Sequence, residues 1–202
     1  MSDRDTRRDR DAEALGAEEL RRAIAAVEAR PSTSADLPPL APEAHEVASA
    51  ALRLLRHRPR SEHELRERLL AKGHPAEAVD EALDRVRVWG LVDDADFADE
   101  WVRGRRRRRG RSRGALEREL RDKGVAEAHI ARAVGQIDES DDRRQAAELV
   151  RGRLGRRPAT AVSGQAAQGE RRRLIAFLAR RGYPTGLAVA VVDAELAAHP
   201  SP

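Results

Sequence analysis

The chain has 202 residues, of which 37% are charged, 40% hydrophobic and only 2% aromatic, and it contains no cysteine. That composition excludes a disulfide scaffold, a thiolate metal site and a cysteine nucleophile, and no apolar run approaches the roughly 18 residues a membrane helix needs. The opening, MSDRDTRRDRDAEA, is too charged for a secretory leader, so the expected compartment is the cytoplasm.

Abundant alanine and leucine with scarce aromatic residues favour helices over strands. Residues 1–41 are expected to form a charged, disordered tail and linker, with Ala35 to Pro42 extended by its prolines. Leu20, Ile24 and Val27 have helical spacing, but a lone helix over Ala17 to Ala29 is too short to be stable in water.

From Pro42 to Ala198 the chain repeats itself three times. One half of the repeat is Leu-x3-Leu-x3-Gly: Leu65, Leu69 and Gly73; Leu116, Leu120 and Gly124; Leu174, Leu178 and Gly182. Leucines four apart share a helical face, and a glycine after them takes the left-handed conformation that ends a helix. Lys72, Lys123 and Arg181 precede the glycines, at the negative end of each helix dipole. Beyond each glycine an apolar pair four apart starts a further helix: Val79 and Leu83, Ile130 and Val134, Ala188 and Val192. The other half is an alanine followed by two adjacent apolar residues: Ala51, Leu54 and Leu55; Ala98, Trp101 and Val102; Ala146, Leu149 and Val150. The expected architecture is all-α, three tandem three-helix repeats over 42–92, 93–140 and 141–198, forming an elongated, curved array in which each repeat packs on its neighbours.

The doublets Asp93-Asp94 and Asp141-Asp142 stand before the first helices of the second and third repeats, where a carboxylate caps free backbone N–H groups. A metal-binding carboxylate cluster with Asp96, Asp99 and Glu100 is the weaker alternative. Phe97 and Trp101 are four apart on one face and read as core, with Trp89 joining them between repeats one and two. The connection between the first and second helices lengthens from repeat to repeat. In the third repeat it is a flexible loop, 155–169; in the second it holds the arginine run.

No phosphate loop, dinucleotide fingerprint or nucleophile elbow is present, and the histidines have no metal-pair spacing. No enzymatic activity, catalytic residue, metal or cofactor is expected. The sharpest feature is RGRRRRRGRSRG, in which Arg103, Arg105, Arg106, Arg107, Arg108, Arg109, Arg111 and Arg113 occur with no acid among them. These eight outweigh the net charge of +4, so the remainder of the chain is acidic. Arginines in such a run cannot neutralise one another, and guanidinium groups bind phosphates bidentately and displace counterions. The run is therefore expected to contact a polyanion or an acidic protein surface, rather than to be a solvated basic loop or a face paired with acids of a neighbouring repeat. No aromatic residue interleaves with it, so base stacking is not indicated.

The stretch Leu54 to Arg105 resembles the RecX family. The residues that carry the resemblance are Arg60-Ser61, Glu64-Leu65, Leu69 and Lys72-Gly73; then Gly90-Leu91, Asp93-Asp94 and Phe97-Ala98; then Leu116, Leu120 and Lys123-Gly124. The likeness extends over about Pro42 to Ala198 and is looser in the third repeat. It implies a non-enzymatic modulator of the RecA recombinase, a three-repeat helical array that lies in the groove of the RecA–DNA filament; the chain itself is expected to be a monomer. There it would inhibit ATP hydrolysis and strand exchange; contact with the phosphates of single- and double-stranded DNA is expected from the charge of the arginine run rather than from the resemblance. The alternative is a stand-alone DNA-binding protein or transcriptional regulator that acts without RecA, with helix-turn-helix elements, a sequence-specific footprint and a two-fold dimer.

Overall fold

The computed structural model describes residues 38–155 and 165–198. The tail with its Ala17 to Ala29 segment, most of the 155–169 loop and His199 lie outside the described residues. Within them the chain is all-α: α1 (Pro42–Leu55), α2 (Glu62–Leu70), α3 (Ala76–Val88), α4 (Asp94–Arg109), α5 (Arg113–Arg121), α6 (Glu127–Val134), α7 (Glu139–Leu154), α8 (Gln165–Ala179) and α9 (Thr185–Ala198).

The recurring half-pattern becomes the same local structure three times. Leu65, Leu69, Leu116, Leu120, Leu174 and Leu178 are fully buried, each worth about 2 kcal/mol of apolar burial. Gly73, Gly124 and Gly182 follow with φ of 86°, 69° and 89°. In each turn the residue after the glycine donates its N–H back to the second leucine's carbonyl: His74 to Leu69, Val125 to Leu120 and Tyr183 to Leu178. The glycine N–H bonds to Leu70, Arg121 and Ala179 respectively. This paired bonding satisfies carbonyls that a helix end leaves open, and it requires a residue that tolerates positive φ. The following apolar pairs, Val79 and Leu83, Ile130 and Val134, Ala188 and Val192, are all buried.

The chain groups into two compact units. The first contains the described residues up to His57 together with Arg68–Val92. There α1 lies against α3, burying Val47, Ala48 and Ala51 of one helix and Val79, Leu83 and Val86 of the other. The second unit contains Arg58–Glu67 and the residues from Asp93 onward. One of its cores joins α4, α5 and α6 around Phe97, Ala98, Leu116, Leu120 and Ile130. Another joins α7, α8 and α9 around Ala146, Val150, Leu174, Leu178 and Val192.

Within the second unit two glycine turns each dock against a buried serine, one through the side chain and one through the backbone. Ser61 Oγ donates to the Lys123 carbonyl at 2.6 Å and accepts from the Glu64 N–H. One repeat later, the Ser112 N–H donates to the Arg181 carbonyl at 3.1 Å while Ser112 Oγ accepts from the Ala115 N–H. Both serines are fully buried. An added Cβ would lie 2.3 Å from His63 at Gly124, and 2.4 Å from Ala115 at Gly182. The glycines therefore permit a close approach as well as a left-handed turn.

Three local expectations are corrected. Residues 165–169, expected to belong to the flexible loop 155–169, form the start of α8. The arginine run is not a connection between helices: α4 continues through Arg109 and ends at Gly110, whose φ of 57° forms its cap. Four arginines in the last turn face the negative end of the dipole, which favours extending the helix. The second aspartate doublet divides: Asp141 takes part in capping α7, and Asp142 does not. Asp138 is the N-cap and Asp141 completes a reciprocal capping box, so α7 starts earlier and Asp142 is turned inward at 7% exposure. In the first doublet Asp93 does cap α4, accepting from the Ala95 and Asp96 N–H groups.

Candidate polyanion interface

Because α4 is helical through Arg109, successive arginines on it are rotated about 100° apart, so part of the run meets protein while the rest meets solvent. Arg105 points towards protein. It lies 3.3 Å from Glu119 and its guanidinium sits 4.1 Å above the Trp101 ring. Glu119 is further held by Arg111 at 2.8 Å and by the Trp101 indole N–H at 3.0 Å. Burial pushes the Arg105 pKa down, Glu119 opposes that, and the charges of Arg109, Arg111 and Arg108 add to the lowering.

Arg106 meets Asp142 of α7 at 2.6 Å. The same carboxylate accepts the backbone N–H of Arg113 at 3.0 Å, so one aspartate fastens α7 to the end of α4 and the start of α5. Arg113 also pairs with Glu117 at 2.9 Å and donates to the Ile137 carbonyl at 3.1 Å. Arg111 donates to the Arg180 carbonyl at 2.7 Å. Folding thus does supply a reason to concentrate arginine here. Arg105, Arg106, Arg111 and Arg113 are paired, with acids drawn from α5 and α7.

The other four of the run face solvent. Arg103, Arg107, Arg108 and Arg109 are exposed. Arg103 reaches only the Asp99 carbonyl of its own helix, at 3.4 Å. Arg107, Arg108 and Arg109 form no ion pair among the described residues. A hollow of about 880 Å³ beside α4 is lined by Asp99, Arg103, Arg106, Arg107 and Arg132, with Arg132 fixed to Asp99 at 2.8 Å. A second hollow, of about 640 Å³, brings Arg108 together with Arg153, Arg173 and Arg181.

Arg153, Arg173 and Arg181 escape a window-by-window reading of charge, because they are separated in the sequence and converge only in the folded chain. The structural use of Arg111-Ser112 does have a sequence signal. The pair stands in the same place before Leu116 as Arg60-Ser61 does before Leu65.

Asp94 accepts the Glu62 N–H at 2.9 Å. Burial pushes its carboxyl up, against the lowering by that hydrogen bond. Glu64 receives Lys123 at 2.7 Å and Arg58 at 3.2 Å. Burial acts to raise its pKa, but the two cations outweigh it and hold the carboxyl below its ordinary value. Lys123 also lies 4.3 Å from the Trp101 ring. Among the described residues no cluster of three or more His, Asp or Glu is arranged to hold a metal, and no helix is long and apolar enough to cross a membrane.

Comparison with known proteins places this geometry in context. The model of the first RecX three-helix domain matches residues 49–85, and that of the second matches 93–134. The regulatory protein RecX of Mycobacterium ulcerans (strain Agy99) is 45% identical over 158 residues, covering 78% of this chain and 89% of its own. That of Mycobacterium tuberculosis (strain ATCC 25618 / H37Rv) is 45% identical over 162 residues, covering 80% and 92%. A crystal structure of regulatory protein RecX superposes with a TM-score of 0.57 at 22% identity, over 75% of this chain and 72% of that one. RecX from Lactobacillus salivarius does so with a TM-score of 0.59 at 13% identity, over 76% and 96%. The two structural likenesses concern the fold.

Proposed function

The chain belongs to the RecX regulatory-protein family, and from that premise we propose that it is a non-enzymatic modulator of the RecA recombinase, mainly an inhibitor. It binds the RecA–DNA filament and reduces ATP hydrolysis and strand exchange in recombinational repair. The observation that carries this reading is the unpaired half of the arginine run. Arg103, Arg107, Arg108 and Arg109 present exposed guanidinium groups along the C-terminal half of α4, on a chain that is acidic on balance outside the eight-arginine run.

A nucleoprotein filament offers such a surface a dense line of phosphates, and releasing their counterions drives association without reading sequence. The recurring three-helix units, assigned to 42–92, 93–140 and 141–198, supply a scaffold that needs no cofactor and acts as a monomer. The paired arginines hold α4, α5 and α7 together, so the exposed ones project from a fixed support.

The test is a titration of purified protein into RecA on single-stranded DNA, following ATP hydrolysis and strand exchange. Both are expected to fall as the protein is added, and unchanged rates at low salt overturn the proposal. Duplexes of different sequence, titrated at several salt concentrations without RecA, separate it from a stand-alone regulator. Affinity that ignores sequence and falls steeply with salt supports the filament reading, and a sequence-specific footprint with a two-fold dimer overturns it.

A further inference from the structure

The hollow that brings Arg108 of α4 against α7 and α8 collects positive charge that the chain itself does not neutralise. Arg108, Arg153, Arg173 and Arg181 line it, with Glu148 and Glu170 as the acids. Glu170 is buried at 7% exposure and stands 3.8 Å from Arg173. Arg181 lies 3.8 Å above the Phe177 ring and Arg153 lies 5.0 Å from it. One aromatic ring therefore holds two like charges close together. Arg181 Nε is buried with no hydrogen-bond partner. Burial lowers the Arg181 pKa, and the neighbouring charges of Arg111, Arg153 and Arg180 lower it further.

Two helix-interior glycines bound this region. At Gly152 an added Cβ would meet nothing within 4 Å, so the α7 wall of the hollow is open. At Gly104 a Cβ would lie 2.7 Å from the Arg108 guanidinium, so the absence of a side chain lets Arg108 fold back along α4. Glycine is a poor helix former, and neither position is one where a helix ends.

We propose that this arginine-lined hollow is a phosphate-binding site that takes the sugar–phosphate backbone of a nucleic-acid strand. Guanidinium groups from α4, α7, α8 and the turn after α8 surround one volume, which suits several phosphate oxygens better than a single charge. The Phe177 ring is only 8% exposed and is covered by two arginines, so it offers no platform for bases and recognition is confined to the backbone. Leu149 and Phe177 are the apolar part of a lining dominated by guanidinium groups, and a phosphodiester chain, with charge at every unit, matches that lining more closely than an acidic peptide. The inference rests on the polyanion reading of the α4 arginines and extends it by four residues' geometry to a defined site.

The test uses the full chain without RecA and a short fluorescein-labelled oligothymidylate, read by fluorescence anisotropy across a salt series. The double variant Arg153→Gln with Arg173→Gln is expected to bind about tenfold more weakly, with a salt slope shallower by about two counterions. Gly152→Leu, which fills the hollow from the α7 side while improving helix propensity, is expected to lose affinity with no fall in thermal midpoint. Arg172→Gln removes an exposed charge outside the hollow and is expected to lose clearly less affinity than the double variant. Wild-type affinity in both the double variant and Gly152→Leu overturns the site, as does an equal loss in Arg172→Gln. Competition by poly-glutamate as effective as unlabelled DNA at equal charge overturns the nucleic-acid assignment. Measuring RecA ATPase in parallel keeps the two proposals apart. A wild-type protein that binds DNA through these residues but leaves RecA unaffected sinks the regulatory reading alone.

Discussion

The two halves of the arginine run have the same composition and opposite roles. Arg105, Arg106, Arg111 and Arg113 close on Glu119, Asp142 and Glu117 and join helices. Arg103, Arg107, Arg108 and Arg109 project from the C-terminal half of the same helix, exposed. The difference lies in the helical rotation between neighbours and in which distant acid happens to be within reach. Clustered charge is thus two features in one segment: a clasp that folding uses and a surface that it leaves open.

The largest expected effect comes from breaking the clasp. Asp142→Ala removes the partner of the Arg106 side chain and of the Arg113 N–H, stranding a half-buried guanidinium. It is expected to cost about 3 kcal/mol in urea denaturation. A loss below about 1 kcal/mol would make the contact no different from a surface ion pair.

The docked glycine turns come next. Gly182→Ala forces a left-handed alanine whose Cβ meets Ala115 at 2.4 Å, whereas Gly73→Ala meets nothing within 4 Å. The second is expected to cost about 1 kcal/mol, the strain of positive φ alone. The first is expected to cost at least about twice as much. Equal thermal shifts for the two would show that the close approach carries no weight.

On the open half, replacing Arg107, Arg108 and Arg109 together with glutamine is expected to change stability by less than about 0.5 kcal/mol. The slope of log affinity for DNA against log salt is expected to fall by about two to three. Circular dichroism and anisotropy on the same preparation check both. A fall in helicity without a change in slope would move these residues from the surface to the clasp.

The smallest effect concerns pH. Lys123 and Arg58 hold the Glu64 carboxyl below its ordinary value, so ionised Glu64 stabilises the fold above its unfolded pKa. That contribution is lost as pH falls through the lowered, folded value. Asp94 has the opposite sign: burial raises its pKa, so protonation on acidification relieves a cost. Glu64→Gln is expected to flatten the acid limb of the stability curve by less than about 1 kcal/mol, given its partial solvent access. Asp94→Asn is expected to steepen it. Denaturation midpoints from pH 7 down to about pH 3 check the two signs.

The fold was legible in the sequence to the extent that it is local. Six buried leucines, three positive-φ glycines and three apolar pairs stand where the spacing places them, because helical periodicity and the left-handed turn depend on residues within about five positions. Asp93 was legible as a cap for the same reason, whereas Asp142 was not. Its doublet looks like a cap until Asp138, three residues before Asp141, takes the role through a reciprocal bond.

The arginine run was legible as a feature but not as a structure. Its glycines invite a loop, yet Gly104 is accommodated inside α4 and only Gly110 ends it. Arg111-Ser112 repeats Arg60-Ser61, the serine four residues before the first leucine, a signal within the sequence that the fold uses Arg111. Arg153, Arg173 and Arg181 had no comparable signal.

By itself, then, the sequence determined an all-helical chain with a repeating unit, where each glycine turn falls, and which residues line each helical face. These follow from spacing, and spacing is encoded within a single turn or two. Only the tertiary structure decided which arginines are neutralised, that Asp142 is a clasp, and which arginines meet around one hollow. Each of those depends on groups coming within about 4 Å from elements far apart in the chain, a distance that no window along the sequence contains.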